Sequence, residues 1–252
     1  MIIKIIIYIY NYINMNVLEL FSGTHSVGKV CDQLGWDVIS LDNELPATHE
    51  IDILDFNYKQ YPKDYFSIIW ASPPCTYYSN LQNCWLGKKK KGMTEPYTKE
   101  LLEIDRKNSD QLIKKTFEII DYFNPELWFI ENPQKGTLKD RQIMKDIPYY
   151  DVSYCMYSDF GYEKRTRIWT NKKDWNNLIC DRSGSCGNMI DSSHIKVCDG
   201  GYDKRRLKHK LNVANDVHTI GEKKGKKNFN DGTKKLDRYR IPENLIFSLF
   251  LD

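Results

Sequence analysis

Short apolar runs alternate with segments of helical period along the first two thirds of the chain. Apolar side chains recur at helical spacing across residues 99–123, and a shorter helix is predicted after the loop at 22–28, with Gly35 at its end. Runs typical of strands occupy residues 17–21, 37–41, 52–54, 66–71 and 127–130, and a final strand pair is predicted at 149–155 and 166–170.

Strands that alternate with helices in this way predict an α/β fold built on a doubly wound, mostly parallel sheet. Such sheets bind ligands at the carboxyl ends of their strands. The polar residues with the clearest chemical use all follow predicted strands: Ser22, Asp42, Asp52, Cys75 and Glu131. We therefore expect the functional site at this edge of the sheet.

The first 14 residues are apolar, but they are too few to cross a bilayer, which takes about 20 residues. They also lack a small-residue cleavage site, and Met15 follows at once with a complete strand and loop. We interpret residues 1–14 as a dispensable N-terminal extension. A true β-strand or a membrane-surface segment is the competing interpretation.

The periodicity fades after residue 170, and the charge changes at the same place. Residues 171–240 hold 17 Lys/Arg and 9 Asp/Glu, a net charge of +8 in a chain whose total is +3. Such a basic segment is typical of a nucleic-acid contact surface, a soluble lysine-rich face being the alternative. We predict an α/β domain at 15–170, a small irregular basic region at 171–237 and a closing segment at 238–252.

Seven scattered cysteines indicate a reducing compartment rather than a disulfide scaffold. The abundant charged and aromatic residues argue against disorder. We expect a cytoplasmic monomer that is neither secreted nor bound to a membrane.

The loop after the first strand has features of a nucleoside site. It lacks the glycine fingerprints of dinucleotide and P-loop sites, yet a tight glycine turn before a helix favours a carboxylate-bearing ligand. Asp42 lies 19 residues after Gly23, where a carboxylate accepts hydrogen bonds from both ribose hydroxyls. Asp52 is placed for an adenine amino group. Taken alone, each Asp is as well explained as a cap or turn former.

Together these residues fit a nucleoside cofactor without a pyrophosphate, for which S-adenosylmethionine is the candidate. We predict contacts to it from Phe21, Ser22, Gly23, Thr24, His25, Asp42, Asp52, Ile53 and Pro73.

Three further fragments suggest covalent chemistry on a nucleic-acid base. The apolar run at 66–71 leads into Pro74-Cys75, which presents a thiol on a proline-stiffened loop. A second apolar run delivers Glu131, and a basic edge carries Arg165 and Arg167. A nucleophile, an acid and anion-binding arginines form a coherent set. Cys31, Cys84 and Cys155 are interpreted as structural thiols.

The motifs resemble those of the DNA (cytosine-5) methyltransferases, especially the short viral and phage-type members. Leu-Phe-Ser-Gly (20–23) is similar to the first cofactor motif of that family, and Pro74-Cys75 to its nucleophile motif. Glu131-Asn132 is similar to Glu-Asn-Val, and residues 163–167 to Gln-x-Arg-x-Arg. Pro133 and Glu163 depart from those two motifs, and no Gly-Asn-Ser-Val motif stands near the C-terminus. The resemblance covers about residues 15–170 and 238–243.

The resemblance implies a Rossmann-like fold, S-adenosylmethionine as methyl donor and a flipped-out cytosine as acceptor. It implies that Cys75 attacks C6 and that Glu131 holds N3 and the amino group. Arg167 holds the base carbonyl or a phosphate, and Arg165 lowers the pKa of the thiol.

Double-stranded DNA is the implied partner, in the cytoplasm or nucleus of a host cell if the protein is viral. Residues 80–98 are predicted to form a long mobile loop that closes over the base, and residues 171–237 to form the target-recognition region. DNA contacts are predicted for Ser79, Lys88, Lys89, Lys204, Arg205 and Arg206.

A structural zinc ion is predicted in the basic region, which has little core of its own. The predicted ligands are Cys180, Cys186, His194 and Cys198. Their spacing is not that of a standard zinc finger, and two or three free thiols are the alternative.

Three rival functions remain open. An amino-methyltransferase acting on N4 of cytosine or N6 of adenine shares this fold, but it has an aromatic residue where Cys75 stands. An RNA cytosine methyltransferase differs only in substrate. An inactive DNA-binding module would not bind the cofactor.

Overall fold

The computed structural model describes residues 15–191, 207–210 and 239–252. Seven strands form one mostly parallel sheet, which confirms the predicted α/β fold. These strands are β1 (Asn16–Leu20), β2 (Asp37–Asp42), β3 (His49–Glu50), β4 (Ile68–Ala71), β5 (Leu127–Pro133), β6 (Tyr149–Ser153) and β7 (Arg165–Thr170).

The strand order is β3-β2-β1-β4-β5-β7-β6. β1 pairs in parallel with both β2 and β4, so that Leu18 lies opposite Ile39 on one side and Ile69 on the other. The chain therefore runs outward in one direction from β1 to β3 and then restarts on the opposite side at β4. The loops after β1 and β4 open at this reversal, which is where open α/β sheets bind ligands.

Two helices of the sheet domain end at left-handed residues. α1 (Ser26–Leu34) ends at Gly35, whose φ is 71°, as the sequence predicted. α2 (Lys99–Phe123) begins after Thr98, whose hydroxyl caps the first turn, and it ends at Asn124 with a φ of 47°.

The hydrophobic core joins the sheet to α2. Aliphatic residues of the parallel strands are fully buried because both faces of such a sheet are covered. Buried members of this cluster include Leu18, Leu20, Leu41, Phe66, Tyr78, Phe123, Ile130 and Trp169.

A partly buried ionic network fastens α2 to the segment after β5. The Arg141 guanidinium donates a hydrogen bond from Nη2 to Asp110 Oδ2 at 2.6 Å and another from Nη1 to Glu103 at 2.7 Å. Asp110 also accepts the hydroxyl of buried Tyr78 at 2.9 Å. The carboxylates beside Arg141, above all Asp110, raise the pKa of its guanidinium. Asp110 therefore accepts hydrogen bonds from two side chains at once, half-buried Arg141 and buried Tyr78.

The described residues form two compact units. The sequence analysis placed residues 151–166 in the α/β domain. In the structure they belong to the same compact unit as the described residues from Trp175 onward. In that second unit, β8 (Met189–Asp191) pairs antiparallel with β9 (Leu207–His209). The ring of Trp175 stacks on that of Tyr157, and α3 (Glu243–Leu251) is the closing helix that the sequence predicted.

Two local expectations differ from the structure. The predicted strand at 52–54 is a turn, since Asp52 Oδ1 accepts the Leu54 N–H at 2.9 Å. The strand of this region, β3, ends two residues before Asp52. The predicted loop at 80–98 begins with a 3₁₀-helix over Asn80–Trp85. Asx hydrogen bonding and local turns carry no periodic signal, so the apolar pattern did not reveal them.

No helix among the described ranges is long and apolar enough to cross a membrane. Several predicted features lie outside the described residues, namely the extension at 1–14, the DNA contacts Lys204, Arg205 and Arg206, and the zinc ligands His194 and Cys198.

Replacing Asp110 tests the ionic network. We expect Asp110→Ala to lower the free energy of unfolding by about 2 kcal/mol, because it leaves Arg141 and Tyr78 without their shared acceptor. Urea unfolding followed by circular dichroism measures this change.

Asp121→Ala is the matched control, since it removes an exposed acid from the same helix. Its effect should stay within about 0.5 kcal/mol. Equal midpoints for the two variants would contradict the role given to Asp110.

Candidate functional site

The loop after β1 is a tight turn with three left-handed residues, Phe21, Gly23 and His25, whose φ values are 58°, 52° and 54°. The Ser22 N–H donates to Leu41 O at 3.0 Å, and the His25 N–H donates to Ser22 O at 2.8 Å. Non-glycine residues with positive φ persist only where surrounding contacts impose them. The turn is therefore held in one conformation at the carboxyl ends of β1 and β2.

Glu19, which the sequence analysis did not single out, supports this turn from inside the sheet. Its side chain is buried and accepts the N–H groups of Val27 and Gly28, each at 3.1 Å, at the N-terminus of α1. The Glu19 carboxylate, 3.8 Å from His25 Nδ1, raises the pKa of the imidazole, although partial burial opposes the shift. An acid inside an apolar strand was the signal that could have revealed it, since buried acids need partners.

Asp42 closes the turn from the end of β2. Its Oδ2 accepts the Gly23 N–H at 2.9 Å, and its Oδ1 accepts the N–H groups of Glu44 and Leu45 at 2.8 and 2.9 Å. A carboxylate offers about four acceptor positions, so these bonds leave about one for a ligand. Asp42 thus shapes the loop and keeps room for about one further hydrogen bond, and its predicted contact to a ribose stays a prediction.

Ser22 supplies the observation that tests the fit of a cofactor here. The residue is buried, and its Oγ has no hydrogen-bond partner among the described residues. A buried hydroxyl left unpaired costs free energy that a polar ligand would recover. Beside a glycine turn and a carboxylate, this hydroxyl fits the polar end of the predicted nucleoside cofactor.

Asp52 and Ile53 follow β3 in a turn. The carboxylate of Asp52 caps that turn, and the side chain of Ile53 belongs to the hydrophobic core. Their predicted contacts to the adenine ring stay predictions.

The loop after β4 presents Cys75. Pro73 is buried, Cys75 is half-buried and the next residue, Thr76, is exposed. The Ser72 N–H donates to Leu20 O at 3.2 Å, and the Tyr78 N–H donates to Cys75 O at 3.1 Å. The thiol-bearing residue therefore stands at the boundary between core and solvent, on a loop that is hydrogen-bonded on both sides.

The loop of Cys75 is tied to the end of β5. Ala71 lies opposite Ile130 in the parallel pairing of β4 and β5, so the loop of Cys75 begins beside the position of Glu131 near the end of β5. Asn132, which is 1% exposed, donates from Nδ2 to Pro73 O at 2.9 Å. Glu131 itself is buried. The sequence analysis used Asn132 only as part of a motif and did not assign it this positioning contact.

The segment after Cys75 is ordered by its own contacts. Ser79, a predicted DNA contact, accepts the Leu81 N–H at 3.2 Å and so caps the 3₁₀-helix. Lys88 and Lys89 are exposed, as expected of residues that meet phosphates. Trp85 is also exposed, at 46%.

The two arginines of the basic edge have different surroundings. Within the first unit, the Arg167 guanidinium lies 3.5 Å from the centroid of the Tyr149 ring. Within the second unit, Arg165 donates to Glu163 at 2.7 Å and to Cys180 O at 3.1 Å. Partial burial raises the pKa of Glu163, but hydrogen bonds from Arg165 and Arg182 outweigh it and hold that pKa below the ordinary value.

Four metal-ligand side chains meet in the second unit. They include Cys180 and Cys186 of the predicted zinc set, joined by Cys155 and His209, and their ligand atoms all lie within 4.8 Å of one another. Cys155 was interpreted as a structural thiol, and His209 was not singled out. The nearby spacing within 180–198 directed the prediction to local residues, whereas β-strand pairing brings in His209 from a distant segment.

Two further cysteines of the described residues, Cys31 and Cys84, lie outside these sites. Burial raises the pKa of the Cys31 thiol to about 12, which makes it unreactive at neutral pH. Cys84 is exposed.

Comparison with known proteins supplies one close relative. A protein of Frog virus 3 (isolate Goorha), described as "Probable DNA (cytosine-5)-methyltransferase", is 36% identical over 237 residues, which are 93% of this chain and 98% of that protein. No family model matches the chain. A crystal structure described as a prophage-encoded DNA modification methyltransferase of E. coli aligns with 62% of this chain and 46% of its own, with a TM-score of 0.43 and 15% identity.

Asn132→Ala tests the tie between the two strand ends. We expect the free energy of unfolding to fall by about 1–3 kcal/mol, since the variant removes a hydrogen bond from a buried site. Asn80→Ala is the matched control, because it removes an amide-to-carbonyl bond of 2.8 Å at an exposed position. Denaturant unfolding of both variants gives the comparison, and an equal loss in the control would argue against the special role of Asn132.

Proposed function

The chain belongs to the DNA (cytosine-5)-methyltransferase family, and we propose that it transfers a methyl group from S-adenosylmethionine to C5 of cytosine in double-stranded DNA. One observation supports this proposal beyond family membership. Glu131 lies near the carboxyl end of β5, beside the end of β4 that leads to Cys75, and the Asn132 amide ties the two segments together. The reaction requires a nucleophile and an acid from the same edge of the sheet.

The reaction requires a nucleophile because C5 of cytosine is too electron-poor to attack a methyl donor directly. The thiolate of Cys75 forms a bond to C6, and the electron pair of the C5–C6 double bond moves to make C5 nucleophilic. C5 would then take the methyl group as the S–CH3 bond of the donor breaks, with the bonding electrons left on the donor sulfur. Loss of the C5 proton to a base restores the double bond as the sulfur–C6 bond breaks, and N3 gives up the proton it gained in the addition, which frees the enzyme.

Glu131 is proposed to bind the cytosine edge. Its carboxyl group is buried at the end of β5, where water competes little for hydrogen bonds. From there it holds the exocyclic amino group and supplies the proton that N3 gains as the thiolate adds. This proton neutralises the negative charge that the addition would otherwise place on the ring.

The arginines are proposed to hold anionic and carbonyl oxygens. Arg167, whose guanidinium lies against the Tyr149 ring, is proposed to hold the base carbonyl or a flanking phosphate. Arg165 lies in the second unit and is paired with Glu163, so its effect on the pKa of the Cys75 thiol stays a prediction.

When bound, S-adenosylmethionine supplies an electrophilic methyl group. The turn after β1 would hold its polar end, with the unpaired Ser22 hydroxyl and the Gly23 backbone as the main contacts. Asp42 would accept one ribose hydroxyl, and Asp52 would face the adenine amino group. The remaining proposed contacts are Phe21, Thr24, His25, Ile53 and Pro73.

Methyl transfer to C5 requires that the cytosine leave the duplex. The exposed Lys88 and Lys89 are proposed to bind phosphates near the nucleophile. The exposed Trp85 ring on the same segment is suited to stack on bases that the flipped cytosine leaves behind.

Covalent trapping tests the nucleophile. Random-sequence duplexes that contain 5-fluorocytosine, incubated with S-adenosylmethionine, should form a denaturation-resistant adduct with the wild-type protein, because fluorine at C5 cannot leave as a proton does. Cys75→Ser should form none. Cys84→Ser, which removes an exposed cysteine from the same segment, should form as much adduct as wild type.

Other outcomes would replace the proposal. Methyl transfer to ordinary DNA by both wild type and Cys75→Ser, without an adduct, would indicate an amino-methyltransferase. An adduct only with single-stranded RNA substrates would indicate an RNA enzyme. Absence of both transfer and cofactor binding would indicate an inactive DNA-binding module.

Glu131→Gln tests the acid. The amide keeps the shape of the side chain but supplies no proton, so kcat should fall by about 10²- to 10⁴-fold. Single-turnover methyl transfer measures this loss, and titration with S-adenosylmethionine should give an unchanged Kd. An unchanged kcat would remove Glu131 from the chemical step.

A further inference from the structure

The cluster of Cys155, Cys180, Cys186 and His209 has the dimensions of a tetrahedral metal site. The His209 Nε2 atom lies 3.7 Å from Cys180 Sγ and 3.6 Å from Cys186 Sγ. Zinc bonds of about 2.3 Å to sulfur and about 2.0–2.1 Å to nitrogen place neighbouring ligand atoms about 3.6 Å apart in a tetrahedron. The observed separations equal that edge length.

Hydrogen bonding among neutral side chains explains the cluster less well. A neutral imidazole nitrogen that accepts has one lone pair, so it takes a proton from one thiol only. Here two sulfur atoms approach the same nitrogen at nearly equal distances, and Cys155, a third thiol, lies within the same 4.8 Å. A cation at the centre would satisfy all four ligands together.

The groups around the cluster are arranged as an outer shell. The Arg182 N–H donates to Cys180 Sγ at 3.4 Å, which is a bond that stabilises a thiolate. The Asn188 side chain, 2% exposed, donates to Cys155 O at 2.9 Å and to Cys186 O at 3.0 Å. One buried amide therefore fixes the backbone of two ligand residues that are far apart in sequence.

The fold around the cluster has little other support. Apart from the portions of β6 and β7 that it contains, the second unit has among the described residues one further strand pair, β8 and β9, each three residues long. The turn between Cys180 and Cys186 contains Arg182 with a φ of 64° and Gly184 with a φ of 105°. A metal that joins segments of this kind supplies the stability that a small core lacks.

We propose that Cys155, Cys180, Cys186 and His209 bind one structural zinc ion. Three sulfurs and one imidazole form a soft, four-coordinate set without an open position, which suits zinc in a structural site. The backbone carbonyl of Cys180 also accepts a hydrogen bond from Arg165 Nη2. An ion bound to Cys180 therefore fixes the segment that holds this arginine. This last consequence rests on the proposed function, whereas the metal site itself does not.

Metal analysis of the purified full chain tests the site. Wild type should carry about one zinc ion per chain, and Cys155→Ser and His209→Ala should each lose it. Cys84→Ser, His194→Ala and Cys198→Ser should retain it. The last two variants separate the proposed ligand set from the one that sequence spacing suggested.

Cobalt substitution of the wild-type protein keeps the test independent of variants that fail to fold. Co²⁺ should give the intense visible absorption and the thiolate charge-transfer band of a tetrahedral sulfur-rich site, and Zn²⁺ should displace it. An octahedral spectrum, zinc-free protein after metal-replete expression, or metal loss in Cys198→Ser but not in Cys155→Ser would overturn the proposal. Neither readout depends on methyl transfer, so an inactive enzyme would leave this result intact.

Discussion

Parallel pairing of β1 with two neighbours is the constraint on which the rest of the sheet domain depends. Because β2 and β4 both run parallel to β1, the turn at Ser22 and the loop of Cys75 must open at the same edge. The pairing of β4 with β5 brings Glu131 to that edge as well. Segments separated by more than fifty positions in sequence are thus brought to the same edge by backbone hydrogen bonds.

Buried polar groups then refine what the sheet brings together. Glu19 holds the N-terminus of α1, Asp42 holds the turn at Gly23, and Asn132 holds the loop before Cys75. Each of these side chains forms hydrogen bonds with backbone donors or acceptors, which would cost free energy if they were buried without a partner. The loops of the site are therefore held by polar contacts on a rigid hydrophobic base, an arrangement that fixes reactive groups without filling the space a ligand needs.

The second unit is organised by different interactions, namely a cluster of Cys and His side chains and the hydrogen bonds of one buried amide. Its described part includes a pair of three-residue strands, and three Cys side chains and one His side chain meet in a single cluster. Asn188 replaces several backbone pairings with side-chain hydrogen bonds. Such a unit depends on a few specific contacts, so its organisation is sensitive to single residues in a way that the sheet domain is not.

The amino-acid sequence by itself determined the α/β class and the strands that deliver Ser22, Cys75 and Glu131. It also determined the chemistry that those residues suggest. Periodicity and the position of a residue relative to a strand are local properties, so the sequence records them directly. Only the tertiary structure decided that Asp42 spends most of its acceptors on the loop and that Asn132 binds Pro73. It also decided that His209 joins the cysteines, since β8 and β9 pair across a long stretch of chain. Contacts between distant segments depend on register and packing, which no local pattern records.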